Sequence, residues 1–349
     1  MGVHSKVSKD TDISESTGSK SLSDREFEVL KTIISFPGFN SSQQSRSSGM
    51  NHSTFVNIKG RLLSEGFVRK VYIPSLWAMG GDVIHLSMDH SPRGGWEDIG
   101  NEGLWSSREG SIFEVFDDQL HLSMNVFSNF RDLYLAKEEW QNEILKMGSR
   151  IQRESVELSC EGLSFLNLFD HAGVLSETGG PIEDSPLVFP SRNSEIRSSV
   201  TQTVQTLVED PEGTSKDLAA GLGMNRQTFT ILKERAEADH LAIPRYLPRL
   251  GKLGFTIIGV FIFPLVENAG ADHIDELHSI SKSNRGHIFF DMLSLNTEVI
   301  LTAHRNFDDF QSKVRTTMAE HVQRKLISRP PIVAPICLQE GRSFGSVQA

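Results

Sequence analysis

The feature that most constrains the fold is a repeat within the chain. Shifting the sequence by 174 positions places Gly223-Met224-Asn225 on Gly49-Met50-Asn51. The same shift brings further identical residues together: Thr228-Phe229 with Thr54-Phe55, Lys233 with Lys59, Arg235 with Arg61, Tyr246 with Tyr72, and Pro248 with Pro74. Amphipathic helices often share apolar spacing, but shared Gly, Asn, Tyr and Pro in one register indicate an internal duplication. We therefore expect two similar units.

Each repeat contains the pattern of a helix-turn-helix. In the second copy, Thr214 precedes a short amphipathic helix, Gly223 supplies a tight turn, and Asn225 caps the next helix. In the first copy, Asn51 opens the corresponding helix, and residues 67–73 alternate basic and apolar side chains as a wing strand does. Two helices that cross at a short turn form a DNA-reading motif, with the second helix in the major groove.

A second pattern follows each helix-turn-helix. The second copy predicts strands at 255–263, 287–293, 298–304 and 332–338, with helices at 272–281 and 306–326. The first copy predicts strands at 82–88, 111–117, 119–126 and 155–159, with a helix at 129–147. The order in the second copy is the ferredoxin-like βαββαβ arrangement, and the first copy follows it except at residues 89–110, which have no clear assignment. The predicted fold class is therefore α+β, with two tandem units, each a winged helix-turn-helix followed by a ferredoxin-like domain.

Composition and repeat boundaries divide the chain into seven segments. They are a disordered tail at 1–21, winged helix-turn-helix 1 at 22–76, ferredoxin-like domain 1 at 77–160, a linker at 161–193, winged helix-turn-helix 2 at 194–250, ferredoxin-like domain 2 at 251–338, and a disordered tail at 339–349. The N-terminal tail is rich in Ser, Thr, Lys and Asp, and the linker contains Gly179-Gly180-Pro181 among polar residues, which favours little fixed structure.

A winged helix-turn-helix followed by a βαββαβ domain resembles transcriptional regulators of the Lrp/AsnC type, which occur in archaea and bacteria. The resemblance implies sequence-specific binding of double-stranded DNA, dimers that form through the ferredoxin-like domains, and a small-molecule effector bound between them. This chain departs from the family because it is a tandem of two units. Its central hairpin turns also differ, with Asp117-Asp118 and residues 294–297 in place of the family's glycine-and-aspartate pattern.

Helical periodicity selects the residues that would contact DNA. In the first copy these are Ser53, Asn57, Arg61 and Ser64 on the recognition helix and Arg69 and Lys70 on the wing; in the second copy they are Arg226, Gln227, Thr228 and Arg245. Arg and Asn side chains can form hydrogen bonds with base edges, and the basic side chains of the wing can bind phosphates. An ordinary solvated helix face remains the alternative, especially in the second copy, where Ile231 and Glu234 share the face.

Charge favours a localised interface over general nucleic-acid binding. The chain has a net charge of −10, whereas residues 25–75 contain seven basic and three acidic residues. A basic face on an otherwise acidic protein fits a DNA-binding surface. A protein-binding adaptor that reuses winged helices without reading DNA is the alternative function. We expect a homodimer on DNA and slightly favour pairing of the two sheets within one chain, with Ile258 buried between them.

Other classes of function lack their sequence signals. No Gly-rich phosphate loop, nucleophile elbow or His-Glu-x-x-His motif is present, which predicts no catalytic residues, no cofactor and no enzyme. Scattered histidines predict no metal site, and His121 and His304 are interpreted as structural. Trp96 and Trp105 are interpreted as core residues, with a binding pocket as the alternative. No apolar run of membrane-spanning length and no secretory signal are present, and only two cysteines occur, so a cytoplasmic protein is expected.

Overall fold

The first helix-turn-helix opens the part of the chain that the structure describes. A computed structural model describes residues 22–75, 80–91, 111–146, 151–175, 197–284 and 286–338. Helices α1 (Asp24–Ser35), α2 (Ser41–Ser47) and α3 (His52–Ser64) precede strand β1 (Val68–Pro74). Side chains set the helix starts, because Ser23 and Glu26 form a capping box and Asn40 and Asn51 accept hydrogen bonds from the first turns of α2 and α3.

The first ferredoxin-like unit is a four-stranded antiparallel sheet. It contains β2 (Val83–His90), β3 (Ser111–Phe116), β4 (Leu120–Phe127) and β5 (Gln152–Ser159), in the order β3-β4-β2-β5. Helix α4 (Phe130–Lys146) contacts β2 and β4. Asn129 caps α4 by accepting a hydrogen bond from the backbone N–H of Asp132 at 2.9 Å.

A fifth strand and the second helix-turn-helix follow. Strand β6 (Leu163–Asn167) and a helical turn at Ala172–Leu175 lie within the range predicted as a linker, so that segment begins with regular structure. The second helix-turn-helix contains α5 (Ser198–Glu209), α6 (Ser215–Gly221) and α7 (Arg226–Ala238), followed by β7 (Ala242–Pro248). Thr214 and Asn225 cap α6 and α7, as their positions in the sequence predict.

The second sheet has five strands. It contains β8 (Ile257–Pro264), β9 (Ile288–Ser294), β10 (Thr297–His304) and β11 (Ile332–Cys337), in the order β11-β8-β10-β9-β6. Helices α8 (Ile274–Ser283) and α9 (Phe307–Gln323) complete the βαββαβ order, and a helical turn at Ala269–Asp272 precedes α8. Strand β6 therefore adds the end of the first unit to the sheet of the second.

Strands β1 and β7 pair with each other instead of forming a separate wing in each unit. In this antiparallel pair, Val68 faces Pro248, Val71 faces Arg245, and Pro74 faces Ala242. The 174-position shift relates Val68 to Ala242, Val71 to Arg245 and Pro74 to Pro248. The pairing is therefore symmetric about the Val71–Arg245 pair, as it would be if a two-fold axis passed between the two strands at that point. Two contacts repeat this exchange: the ammonium of Lys59 lies 5.0 Å from the ring centroid of Tyr246, and that of Lys233 lies 5.9 Å from that of Tyr72.

The two sheets share one hydrophobic core. Ile84 and Leu86 on β2 lie in the same buried cluster as Ile258 and Val260 on β8. The sheets also meet at an edge, where the backbone N–H of Cys337 donates to Oδ2 of Asp117 at 2.9 Å. Each sheet therefore covers the open face of the other within one chain.

The structure confirms the predicted fold class of two tandem helix-turn-helix and ferredoxin-like units. The predicted tails, Trp96 and Trp105 lie outside the described residues. Within the described ranges, no helix combines the length and apolar character needed to cross a membrane.

Candidate functional site

Helix α3 presents an exposed polar face to solvent. Phe55 and Leu62 point into the core, whereas Ser53, Asn57 and Ser64 on the opposite side are exposed. Val56 is 39% exposed beside Asn57, although it is apolar. From His52 to Ser64 the helix has no acidic residue. This face therefore offers hydrogen-bonding groups and one apolar contact without negative charge.

The predicted basic residues near α3 have partners inside the protein. Arg61 forms an ion pair with Glu26, which also accepts hydrogen bonds from Ser23, so this arginine joins α3 to α1. Arg69 and Lys70 are only partly exposed because β1 is paired with β7. Burial, with repulsion from Lys233, lowers the pKa of Lys70 to about 8. These positions are less available to phosphate than a free wing would make them.

The second helix-turn-helix places its predicted contacts differently. Arg226, Gln227 and Thr228 are exposed at the start of α7. Arg245 is partly buried on β7 and donates hydrogen bonds to the carbonyl oxygens of Leu168 at 3.1 Å and Pro244 at 3.4 Å. The roles of all ten residues in DNA contact stay predictions, and the structure brings together two groups of them, one at each recognition helix.

The first sheet has a second candidate site on the face turned away from the shared core. Alternate residues of β2 on this face are His85, Ser87 and Asp89, and all three are 1% exposed or less. His121 and Ser123 on β4 lie beside them in the strand register, and Arg153 on β5 lies opposite Asp89. We call these six residues, together with Glu114 and Glu157, the polar face of the first sheet.

Charged groups on the polar face form a connected network. Arg153 donates two hydrogen bonds to Asp89, with the shorter at 2.5 Å, and its guanidinium lies 3.2 Å from the ring centroid of Trp140. His121 lies 2.5 Å from the Glu114 carboxylate and 3.8 Å from that of Asp89. The carboxylates of Asp89 and Glu114 raise the pKa of His121, although burial opposes the charge. An imidazolium is therefore favoured between two acids.

His85 differs from its neighbours because its ring nitrogens form no hydrogen bond with any described residue. Its Nδ1 lies 3.3 Å from the Glu157 carboxylate, in a geometry too poor for a hydrogen bond. The ring lies edge-on to Phe127 and Trp140, with centroids 6.4 Å and 6.3 Å away. Burial lowers the pKa of His85 to about 4, so the neutral imidazole keeps an available lone pair.

The equivalent face of the second sheet shows that the fold does not require these polar groups. The 174-position shift places His85, Ser87 and Asp89 on Gly259, Phe261 and Phe263. Phe261 and Phe263 belong to a buried hydrophobic cluster beneath the helices of the second unit. The buried ionisable groups described there include Glu298, which binds His321 at 2.6 Å, and Asp291, which accepts a hydrogen bond from Ser281.

Sequence reasoning missed the polar face, although a signal was present. The alternation of Ile84, Leu86 and Met88 with His85, Ser87 and Asp89 is that of a strand with one apolar and one polar face. The predicted ferredoxin-like fold buries both faces of this strand. The polar alternation and this expected burial together would have predicted that His85, Ser87 and Asp89 are buried. The partners on β4 and β5 could not be assigned without the strand register.

Comparisons with known proteins find similar folds and no sequence relative. No protein-family model matches the chain, and no curated protein matches it. The solved structure of the siroheme decarboxylase NirDL matches 89% of this chain and 90% of its own, at 9% identity and a TM-score of 0.47. AsnC from E. coli matches 43% of this chain and 97% of its own, at 14% identity and a TM-score of 0.32. An AsnC family transcriptional regulator from Agrobacterium tumefaciens matches 43% and 95%, at 12% identity and a TM-score of 0.32.

One of these findings corrects the sequence analysis. The absence of familiar catalytic motifs led to the prediction that the chain is not an enzyme, and that prediction is wrong. The finding that contradicts it is the match of a siroheme decarboxylase structure to 89% of this chain. The absence of catalytic motifs known from other folds does not test whether a chain is an enzyme, because function resides in the site and not in the fold. At these identities the likeness concerns the fold, which this chain shares with Lrp/AsnC regulators and with an enzyme.

Proposed function

We propose that the chain is a DNA-binding regulator whose first helix-turn-helix makes the dominant contact with double-stranded DNA. The observation that carries this proposal is the exposed face of α3, which has no acidic residue between His52 and Ser64. Asn57 suits the donor and acceptor pair on an adenine edge, and Val56 suits a thymine methyl group. Exposed Arg25 and Arg46 on the neighbouring helices supply positive charge for phosphates.

The second recognition helix supports an unequal division of roles. Shifting by 174 positions places Gly60 on Glu234 and Asn57 on Ile231, so the face of α7 contains an acid and an exposed isoleucine. A carboxylate in the groove repels phosphates and weakens the electrostatic part of binding. We therefore assign α7 a weaker DNA contact or a protein contact, and α3 the reading of bases.

Selection of DNA ligands followed by matched substitutions tests this proposal. Sites are enriched from a random duplex library with the full chain, and affinity for the enriched site is measured by fluorescence anisotropy. Asn57→Ala should cost roughly 1–3 kcal/mol and relax the sequence preference at one position. Ile231→Ala, at the equivalent position of α7, should change affinity by less than about 0.5 kcal/mol. No enrichment of any sequence, or equal losses for the two variants, would contradict the assignment.

We infer a second function for the polar face of the first sheet, which is the binding of a small polar molecule as an effector or a substrate. The buried His85 carries this inference, because its nitrogens have no hydrogen-bond partner among the described residues while charged groups surround it. Leaving such a group unsatisfied costs about 1–3 kcal/mol, which a bound ligand can recover. A histidine beside a carboxylate is also a common acid-base pair.

A stability screen tests this second function. Amino acids, keto acids and other small carboxylates are added singly to the full chain, and the change in melting temperature is recorded. A ligand that raises the melting temperature of the wild type should lose this effect in His85→Phe. Phe261→Tyr, at the equivalent of Ser87 in the second unit, is the control and should keep the response. A response that survives in His85→Phe places the ligand elsewhere.

We also infer that the two units arose by duplication and that one chain reproduces a dimer of single units. The exchange of residues about the Val71–Arg245 pair supports this reading, because closed two-fold interfaces bring equivalent residues together. Two such chains on DNA would present two α3 helices, so a homodimer on a two-part site remains our proposal. Light scattering of the chain, free and with the selected DNA, measures this directly.

A further inference from the structure

A cluster of two histidines and an aspartate lies at one end of the second sheet. His287 precedes β9, His304 ends β10, and Asp309 lies in the first turn of α9. Their nearest ligand atoms all lie within 4.8 Å of one another. The structure combines them from three separate elements, so the scattered histidines of the sequence gave no sign of the cluster.

The two distances from Asp309 are at or beyond the long end of hydrogen-bond lengths, and one of them falls in the range between ligands of one metal ion. Nδ1 of His304 lies 3.3 Å from Oδ2 of Asp309, and Nδ1 of His287 lies 3.9 Å from the same oxygen and 3.4 Å from the carbonyl oxygen of Ala303. Hydrogen bonds between nitrogen and oxygen are usually about 2.7–3.2 Å long. Ligands bound to zinc at about 2.0–2.2 Å in tetrahedral geometry are roughly 3.3–3.6 Å apart. Both imidazoles turn the same atom towards one carboxylate oxygen.

Neighbouring groups hold the cluster in place. Nε2 of His304 lies 2.8 Å from the hydroxyl of Thr302, which itself donates to the carbonyl of Gly259 at 3.3 Å. When the hydroxyl donates to Gly259, it accepts the Nε2–H of His304 and leaves the Nδ1 lone pair facing Asp309. Metal-bound histidines are typically oriented by such a bond at the other nitrogen. His304 is fully buried, whereas His287 and Asp309 are each 32% exposed, which leaves a route for an ion.

The first unit shows that the shared fold does not need this cluster. A shift of 177 positions places His304 on Phe127 and Asp309 on Asp132. The strand registers agree, because Val83 pairs with Phe127 and the equivalent Ile257 pairs with His304. Asp132 and Asp309 also receive the same capping arrangement, in which Asn129 and Asn306 accept from their backbone N–H groups. The two units therefore share the strand register and the helix cap at this position, and the histidines occur in the second unit.

We propose that His287, His304 and Asp309 bind one divalent transition-metal ion. Two imidazoles and one carboxylate form a donor set that suits Zn²⁺ and also Fe²⁺, and both leave coordination positions for water or another ligand. The positive charge of Lys313 helps to lower the pKa of His304. Lys313 donates a hydrogen bond to Asn284, and Asn284 donates one to Glu320. The cluster itself contributes one carboxylate as the counter-charge to the ion.

Titration of the chelator-treated full chain with Zn²⁺ tests the proposal, with calorimetry as the readout. We expect one site per chain with micromolar or tighter affinity. His304→Phe, which copies the first unit, should abolish the site while the circular dichroism spectrum stays unchanged. His287→Ala and Asp309→Asn should each weaken binding at least ten-fold. Asp132→Asn is the matched control in the first unit and should bind as the wild type does.

Substitution by Co²⁺ identifies the coordination. Intense visible absorption that disappears in His304→Phe would indicate a tetrahedral, zinc-like site, and weak absorption would indicate the six-coordinate geometry that Fe²⁺ favours. No binding of Zn²⁺ or Co²⁺ by the wild type would overturn the proposal and leave a hydrogen-bonded aspartate–histidine cluster. Equal binding by the wild type and by all three variants would overturn it as well, since the ion would then lie elsewhere.

Discussion

Among the buried side chains, His171 gives the most direct account of acid sensitivity. Its ring stacks on Phe289 with centroids 4.7 Å apart, and its Nδ1 lies 3.0 Å from the carbonyl oxygen of Phe169. Burial lowers its pKa to about 4, which neither Asp170 nor the hydrogen bond to Phe169 offsets. The folded protein therefore keeps this histidine neutral at pH values where the unfolded chain already binds the proton.

The sign of the pH effect follows from that difference. Stability from a lowered histidine pKa is present above about pH 6.5 and is lost as the pH falls towards 4. Between pH 7.5 and 5, the loss from His171 should be about 2 kcal/mol. His171→Phe should remove this part of the loss, as measured by urea unfolding at both pH values. The exposed His273→Gln is the control, and an equal loss in His171→Phe and the wild type would contradict the account.

At the scale of elements, sequence signals located most helices and strands but not their partners. The capping residues Asn51, Thr214 and Asn225 start helices where the sequence predicts them. Caps and periodicity act over a few residues, so they can be read locally. The pairing of β1 with β7 joins segments far apart in sequence, and no local pattern distinguishes it from two separate wings. For the same reason, the sequence could not show that β6 completes the second sheet or that His287 meets His304.

A cross-link measures the register of β1 and β7. Val71→Cys with Arg245→Cys places two thiols on directly opposed residues, whose Cα separation in an antiparallel pair, about 4.5–5.5 Å, suits a disulfide. With Cys160→Ala and Cys337→Ser in the background, oxidation should form an internal disulfide, seen as the loss of two hydrogens by mass spectrometry. Val71→Cys with Leu247→Cys, a diagonal pair, should cross-link far more slowly. The opposite preference would exclude the two-fold register.

At the scale of the whole molecule, the shared core makes the two ferredoxin-like units depend on each other. Ile258 is fully buried in the cluster that contains both sheets. Ile258→Asp should cost several kcal/mol, since it places an unpaired carboxylate between the sheets. Ile231→Asp, on the exposed face of α7, should change stability by less than about 0.5 kcal/mol. Thermal unfolding compares the two, and light scattering reports whether Ile258→Asp exposes a surface that associates.

That dependence also determines how an isolated second unit should behave. Residues 194–338 lack β1 and β6, which pair with β7 and β9, and they lack the sheet that covers Ile258. The fragment alone should therefore associate or unfold at a lower temperature than the full chain. A monomeric fragment that melts cooperatively at the same temperature would show that the second unit is independent.

Gly60 offers a test of whether α3, rather than α7, reads DNA. Gly60 is exposed, and a Cβ added there meets no atom within 4 Å, so substitution should not disturb the fold. Gly60→Glu copies the acid that α7 has at position 234 and should weaken binding to the selected DNA at least ten-fold, which is about 1.4 kcal/mol. Gly60→Ala should bind as the wild type does, and Glu234→Gly should bind as well or more tightly. Anisotropy titrations at one salt concentration decide the matter: unchanged affinity in Gly60→Glu, or a large loss in Glu234→Gly, would contradict the account.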